Sequence, residues 1–215
     1  MREELELHGL VLSSRPVREF DKRLTLLTKE AGKLTVWASG AKKPGSPLMA
    51  GTRNFVFGTF FLHRGKNGYN LQSVGVREYF TEIALDLRNA CYGSYLLELL
   101  DFIAQEELPA EEMVNLLYLS LRAILNPSLP DELIRRIFEL RLLYLNGEYT
   151  EKPPNPSSEA CAYAWRYILE SPLRKLYTFT LTEEVLRELS DNVDVLLREL
   201  LPYRFKSLEV LRAIV

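Results

Sequence analysis

The sequence predicts an α+β chain of two domains, a five-stranded closed β-barrel over residues 1–80 followed by an all-α domain over 81–215. Three observations carry this reading. Short β-rich runs punctuated by glycine fill the first part, the apolar period changes to that of helices from Thr81, and charge divides unevenly at the same place. Residues 1–80 hold 13 Lys and Arg against 7 Asp and Glu, whereas 81–215 hold 14 against 22. Within 15–77 the imbalance sharpens to 12 basic residues against Glu19, Asp21 and Glu30. A charge separation along the chain marks one half as the part that meets a polyanion.

The strands follow in order. Residues 8–12 are a short apolar run, and the β-rich segments 24–28 and 34–38 are joined by Lys29-Glu30-Ala31-Gly32, a connection that suits a hairpin. Residues 55–62 are aromatic-rich with Gly58 inside, where a mid-strand glycine marks the bend or bulge of a small barrel. Lys66-Asn67-Gly68 supplies a further hairpin turn before 69–76. Five strands in so short a stretch hide their edges best by closing, as in an OB barrel. Residues 39–51, rich in Gly and Pro and carrying Lys42 and Lys43, read as the exposed crossing between the barrel halves.

The helices come next. Tyr95, Leu96, Leu99, Leu100 and Ile103 form one stripe; Met113, Leu116, Leu117, Leu121 and Ile124 form another, opened by Pro109. Asp131 is placed to cap a third helix bearing Leu133, Ile134, Ile137, Phe138, Leu140 and Leu142, which Asn146-Gly147 ends. The proline-rich residues 152–158 break the chain before helices expected over about 158–170 and 182–201. Val185, Leu186, Leu189, Val193, Leu196, Leu197 and Leu200 need a partner face, so the break is a loop inside one domain.

Composition excludes several classes. A hydrophobic content of 47% with 26% charged residues is ordinary for a globular chain. No apolar stretch approaches the roughly 20 residues of a membrane span, and the first residues carry carboxylates where a secretory signal is cationic, so a cytoplasmic protein is expected. Cys91 and Cys161 lie in apolar helical surroundings as small hydrophobes; with only His8 and His63 besides, no zinc site, metal or other cofactor is expected. The phosphate-binding, dinucleotide, nucleophile-elbow and zinc-protease motifs are all missing, so the chain is not read as an enzyme. The acidic pairs Glu106-Glu107, Glu111-Glu112 and Glu183-Glu184 are read as helix-end charge.

Phosphate binding has better candidates. Arg15, Arg18, Lys22, Arg23, Lys33, Lys42, Lys43 and Arg53 fall at strand ends and connections, where long cations gather beside a barrel face and release condensed counterions from a phosphate backbone. Base stacking could fall to Phe20, Trp37, Phe57 or Tyr69. Trp37 and Phe57 sit inside strands and read as barrel core, leaving Phe20, in a connection, as the exposed candidate.

The segments HGLVL (8–12), EFDKRLTLLTKEAGK (19–33), SGAKKP (39–44), SYLLELL (94–100) and RRIFELRLL (135–143), in this order, resemble the bacterial recombination mediator family RecO. The resemblance implies an N-terminal OB domain and a helical C-terminal domain. It also implies binding of single- and double-stranded DNA, annealing of complementary strands, and cooperation with RecR in placing RecA on strands covered by the single-strand-binding protein SSB. Many relatives carry four zinc-binding cysteines after the third long helix, whereas 147–166 holds Cys161 alone, so the zinc module is absent and packing by Tyr163, Trp165 and Tyr167 is expected in its stead. The family also takes the acidic, apolar SSB C-terminal tail on its helical domain. The matching positions are Arg135 and Arg136, with Arg122 or Arg141 nearby, beside Leu121 and Phe138; the alternative is that these arginines pair with Glu132 or Glu139 on their own helix. Two rival functions stay open, a metal-dependent nuclease using Glu19, Asp21 and Glu30, and a protein-only adaptor.

Overall fold

The computed structural model describes residues 4–65, 68–201 and 203–214; the expected turn residues Lys66 and Asn67 lie outside them. Two compact units emerge, one of residues 1–84 with 97–114, the other of 85–96 with 115–215. No helix among the described residues is long and apolar enough to cross a membrane.

The first unit is a closed barrel of β1 (Glu4–Pro16), β2 (Lys22–Thr28), β3 (Gly32–Ala38), β4 (Phe57–Gly65) and β5 (Gly68–Glu78), ordered β1-β2-β3-β5-β4 with β3 and β5 parallel. Every strand overruns its expected limits or shifts by two residues, because pairing with neighbours extends strands into polar sequence that carries no apolar signal. β1 is long enough to pair with both β2 and β4, so it must coil sharply. Within it Gly9 stands directly opposite Gly58, and the register against β2 shifts between Val11 and Ser13. A Cβ on Gly9 would lie 2.1 Å from the Leu27 carbonyl oxygen, and one on Gly58 2.4 Å from that of Gly75. The register of β4 against β5 slips beside Gly58, the irregularity its mid-strand glycine predicts. Leu7, Val11, Leu24, Leu26, Leu34, Val36, Phe60 and Leu62 fill the interior. Removing the ring of fully buried Phe60 would cost about 3–5 kcal/mol. In the β3–β4 connection only the short helix α1 (Leu48–Gly51) is regular.

The helices are α2 (Thr81–Leu85), α3 (Leu87–Ile103), α4 (Glu111–Ile124), α5 (Asp131–Leu145), α6 (Glu159–Glu170), α7 (Glu183–Leu200) and α8 (Lys206–Ile214). Ser158 and Thr182 cap α6 and α7 with their hydroxyls. Pro130, not Asp131, occupies the cap of α5; Asp131 sits one position in and bonds Arg88 at 2.6 Å. α5 ends at Asn146, with Gly147 at φ 79° and its N–H donating to the Tyr144 carbonyl. α8 lies beyond the last helix that the apolar pattern predicts. Trp165 is fully buried and Tyr167 packs edge-on against Phe179 with ring centres 5.1 Å apart, whereas Tyr163 is 62% exposed, so the aromatic packing expected around α6 falls to Trp165 and Tyr167. Glu111-Glu112 and Glu183-Glu184 do occupy first turns. Glu106-Glu107 instead lies in the connection after α3, where Glu107 has φ 58°.

Candidate nucleic-acid interface

At one end of the barrel the β1–β2 turn and the β3–β4 connection are tied together through the backbone. Lys42 N–H donates to the Phe20 carbonyl at 2.9 Å, and Gly40 N–H to Asp21 Oδ1 at 2.8 Å. These bonds bring Arg18, Phe20 and Lys43 to one open cavity of about 490 Å³. Lys43 Nζ stands 5.9 Å from the centre of the Phe20 ring, which is 38% exposed as expected of a stacking candidate.

Beside them Lys22 Nζ donates to Thr52 Oγ1 at 3.0 Å and to the Thr52 carbonyl at 3.3 Å. Thr52 is fixed in turn by its hydroxyl bond to the Leu48 carbonyl at 2.8 Å. The next residues are held by strain: buried Phe55 has φ 71°, a conformation costing about 1–3 kcal/mol for a side chain of this size, and its N–H bonds the Val11 carbonyl. Arg53 is thereby presented next to Lys22. Partial burial pulls the Lys22 pKa below the ordinary lysine value, and the neighbouring charges of Arg53 and Lys42 lower it further. Among the described residues none of these three cations has an acidic partner.

On the outer wall at the same end, Arg15 pairs opposite Arg23, Arg23 opposite Trp37, and Trp37 beside Asn70. The buried alternation Leu34, Val36, Ala38 sends Trp37 outward, so it is a half-buried wall residue and not the core residue expected of it. Phe57 likewise is only partly buried and lies outside the core.

Lys33 stands apart from the other seven cations. It occupies the opposite end of the barrel, where Nζ lies 2.5 Å from the Asp101 carbonyl oxygen and 3.6 Å from Asp101 Oδ1. Its neighbour Lys29 meets Glu111 at 3.3 Å, and Tyr69 O–H reaches Glu107 at 3.3 Å. There Gly32, at φ 63°, lets the Leu108 carbonyl approach to within 2.0 Å of where a Cβ would stand. The three acids a barrel nuclease would need do not converge. Asp21 is engaged by Gly40, while Glu30 binds the backbone and ring of His8 at 2.9 and 2.7 Å.

In the second unit the arginines of α5 are spent internally. Arg135 is 7% and Arg136 4% exposed. Arg135 Nε meets Glu139 at 3.1 Å; Arg136 meets Glu132 at 2.8 Å, Glu139 at 3.0 Å and Asp194 at 2.6 Å. Burial works to lower the Arg136 pKa, but Glu139, Asp194 and Glu132 together outweigh it and raise it. Tyr95 O–H completes the shell of Glu139 at 2.6 Å. Leu121 and Phe138 are fully buried, and Arg141 turns to the carbonyls of Ile168 and Leu169, leaving Arg122 as the exposed member of the expected tail-binding set. Arg135, Arg136 and Phe138 are thus buried, the two guanidinium groups taken up by Glu132 and Glu139 of their own helix and by Asp194 of α7.

Comparison with known proteins follows the same two-part division. A family model described as Recombination protein O N terminal matches residues 1–80, and one described as Recombination protein O C terminal matches 84–151. The chain is 30% identical to the DNA repair protein RecO of Clostridium perfringens, over 98% of each chain. That alignment spans 244 positions against a chain of 215 residues, so the relative carries stretches this chain lacks. The DNA repair protein RecO of Acetivibrio thermocellus is 26% identical over 98% of this chain and 97% of its own. That of Shouchella clausii is 35% identical over 72% and 57%.

Proposed function

Because the chain belongs to the RecO family of DNA repair proteins, we propose that its barrel binds DNA through the end carrying Lys22, Lys42, Lys43, Arg53, Arg15, Arg18 and Arg23, and that it anneals complementary single strands. The observation that carries this reading is geometric: Lys22, held on Thr52 with Arg53 next in the chain, and Lys42, held on the Phe20 carbonyl, have no ion-pair partner among the described residues. Like charges gathered this way raise the local concentration of a polyanion, and each phosphate they neutralise releases counterions. Annealing then needs no covalent step. Cations lower the repulsion between two strands, and base pairing supplies the free energy.

The reading extends to RecR, with which the protein helps load RecA onto SSB-covered strands. Residues 81–215 supply those partner contacts, the SSB tail included, at a surface other than the buried arginines of α5. A strand-annealing assay on bare and on SSB-coated DNA tests the whole. Faster duplex formation on both is expected. Fragmented strands in the presence of magnesium would favour a nuclease instead, and no DNA affinity even at low salt would leave only an adaptor.

A further inference from the structure

We propose that Trp37 is the base-stacking platform by which the barrel wall prefers single-stranded over duplex DNA, an inference that rests on the DNA-binding reading above. The wall shows two neighbouring rows. Arg15, Arg23, Trp37 and Asn70 make one; Ser13, Thr25 and Thr35 make the other, with Ser13 O–H donating to Thr25 Oγ1 at 3.0 Å. No carboxylate stands in either row. Among the described residues neither Arg15 nor Arg23 has an ion-pair partner.

Each feature of this patch suits an unstacked nucleotide. The small side chains of the second row leave the flank of the indole low, so a flat base can lie across it. Arg23 is one strand spacing from Trp37, about 4.8 Å, and Arg15 one spacing beyond, within reach of the phosphates flanking a base on the ring. In a duplex both faces of every base are already covered by its neighbours. Trp37 therefore gains a contact only when the strand is single, whereas the arginines attract phosphates of either form.

The chain's two tryptophans make the test direct. Trp165 is fully buried and its Nε1–H donates to the Thr150 carbonyl at 2.9 Å, so its emission is insulated from DNA. Adding oligothymidylate to the full-length protein should quench tryptophan emission, and a duplex of equal length should not. Trp37→Ala should weaken oligothymidylate binding roughly five- to a hundredfold while duplex affinity stays within about twofold, and Trp37→Phe should restore most of the difference. Unchanged emission at saturating oligothymidylate, or equal losses for both DNA forms in Trp37→Ala, overturns the inference. A Lys42→Ala/Arg53→Ala variant separates the two levels. If it weakens DNA binding and Trp37→Ala does not, the stacking role alone fails; if neither variant changes DNA binding, the DNA-binding reading fails with it.

Discussion

At one end of the barrel Lys33 and Lys29 are answered by Asp101 and Glu111, and at the other Lys22, Lys42 and Arg53 are answered by no acid among the described residues. Both ends draw lysines from the same β2–β3 hairpin, so strand sequence alone does not separate them. The connections do. Residues 104–110 lay their backbone along the β2–β3 turn, with Lys33 N–H bonding the Gln105 carbonyl and Ala110 N–H the Lys29 carbonyl, and so bring Asp101 at the end of α3 and Glu111 at the start of α4 to the two lysines. The turn and connection at the far end bring Arg18, Lys43 and the ring of Phe20, and their acids are engaged locally, Asp21 by the Gly40 N–H and by Arg18 at 4.0 Å, none of them reaching Lys22, Lys42 or Arg53. A lysine in this barrel is thus pinned to an acid or left without one according to what the neighbouring segment supplies.

Four experiments would break or sharpen that contrast. The largest effect is expected at the covered end, where Gly32→Ala forces a Cβ against the Leu108 carbonyl at positive φ. A loss of about 3 kcal/mol or more in urea unfolding is expected, and an unchanged midpoint would mean the turn is not held as described. Next, Lys42→Ala/Lys43→Ala/Arg53→Ala should lower DNA affinity by roughly two orders of magnitude at moderate salt, irrespective of sequence. The log–log salt slope should flatten by about 2 to 3, as measured by fluorescence anisotropy titration. Lys33→Ala should do the reverse, costing about 1–2 kcal/mol of stability through its bonds to Asp101 while DNA affinity stays within about twofold. A DNA defect as large as that of the triple variant would erase the distinction between the ends.

The smallest effect concerns pH. The Lys22 pKa in the free protein is depressed, and a bound phosphate favours the charged amine, so binding takes up a proton as the solution becomes alkaline. Affinity should therefore decline with rising pH earlier than an ordinary lysine would cause. Lys22→Arg, charged throughout, should remove that decline, and identical pH profiles for both proteins would show that Lys22 does not meet phosphate.

Much of this architecture was legible in the residues. Glycine-marked turns and β-rich runs predicted the five strands, and Asn146-Gly147 announced the end of α5, whereas the capping hydroxyls of Ser158 and Thr182 became evident only in the fold. The charge imbalance predicted a basic face, but the sequence could not sort Lys33 from Lys22. That difference is made by Asp101, which lies far along the chain. Trp37 was misread because a tryptophan in a short strand carries no sign of its facing until Leu34, Val36 and Ala38 are seen to fill the interior. Arg135 and Arg136 looked like a docking pair since spacing along one helix permits pairing with Glu132 and Glu139 without requiring it. Asp194 on α7 closes that network from a distance of 58 positions along the chain.

Bringing Arg53 and Lys42 close to Lys22 has a thermodynamic side that is independent of any ligand. Their repulsion weighs against the folded barrel, and dissolved ions screen it. Moderate sodium chloride should thus raise the melting temperature of this protein while weakening the proposed phosphate contacts at the same end of the barrel.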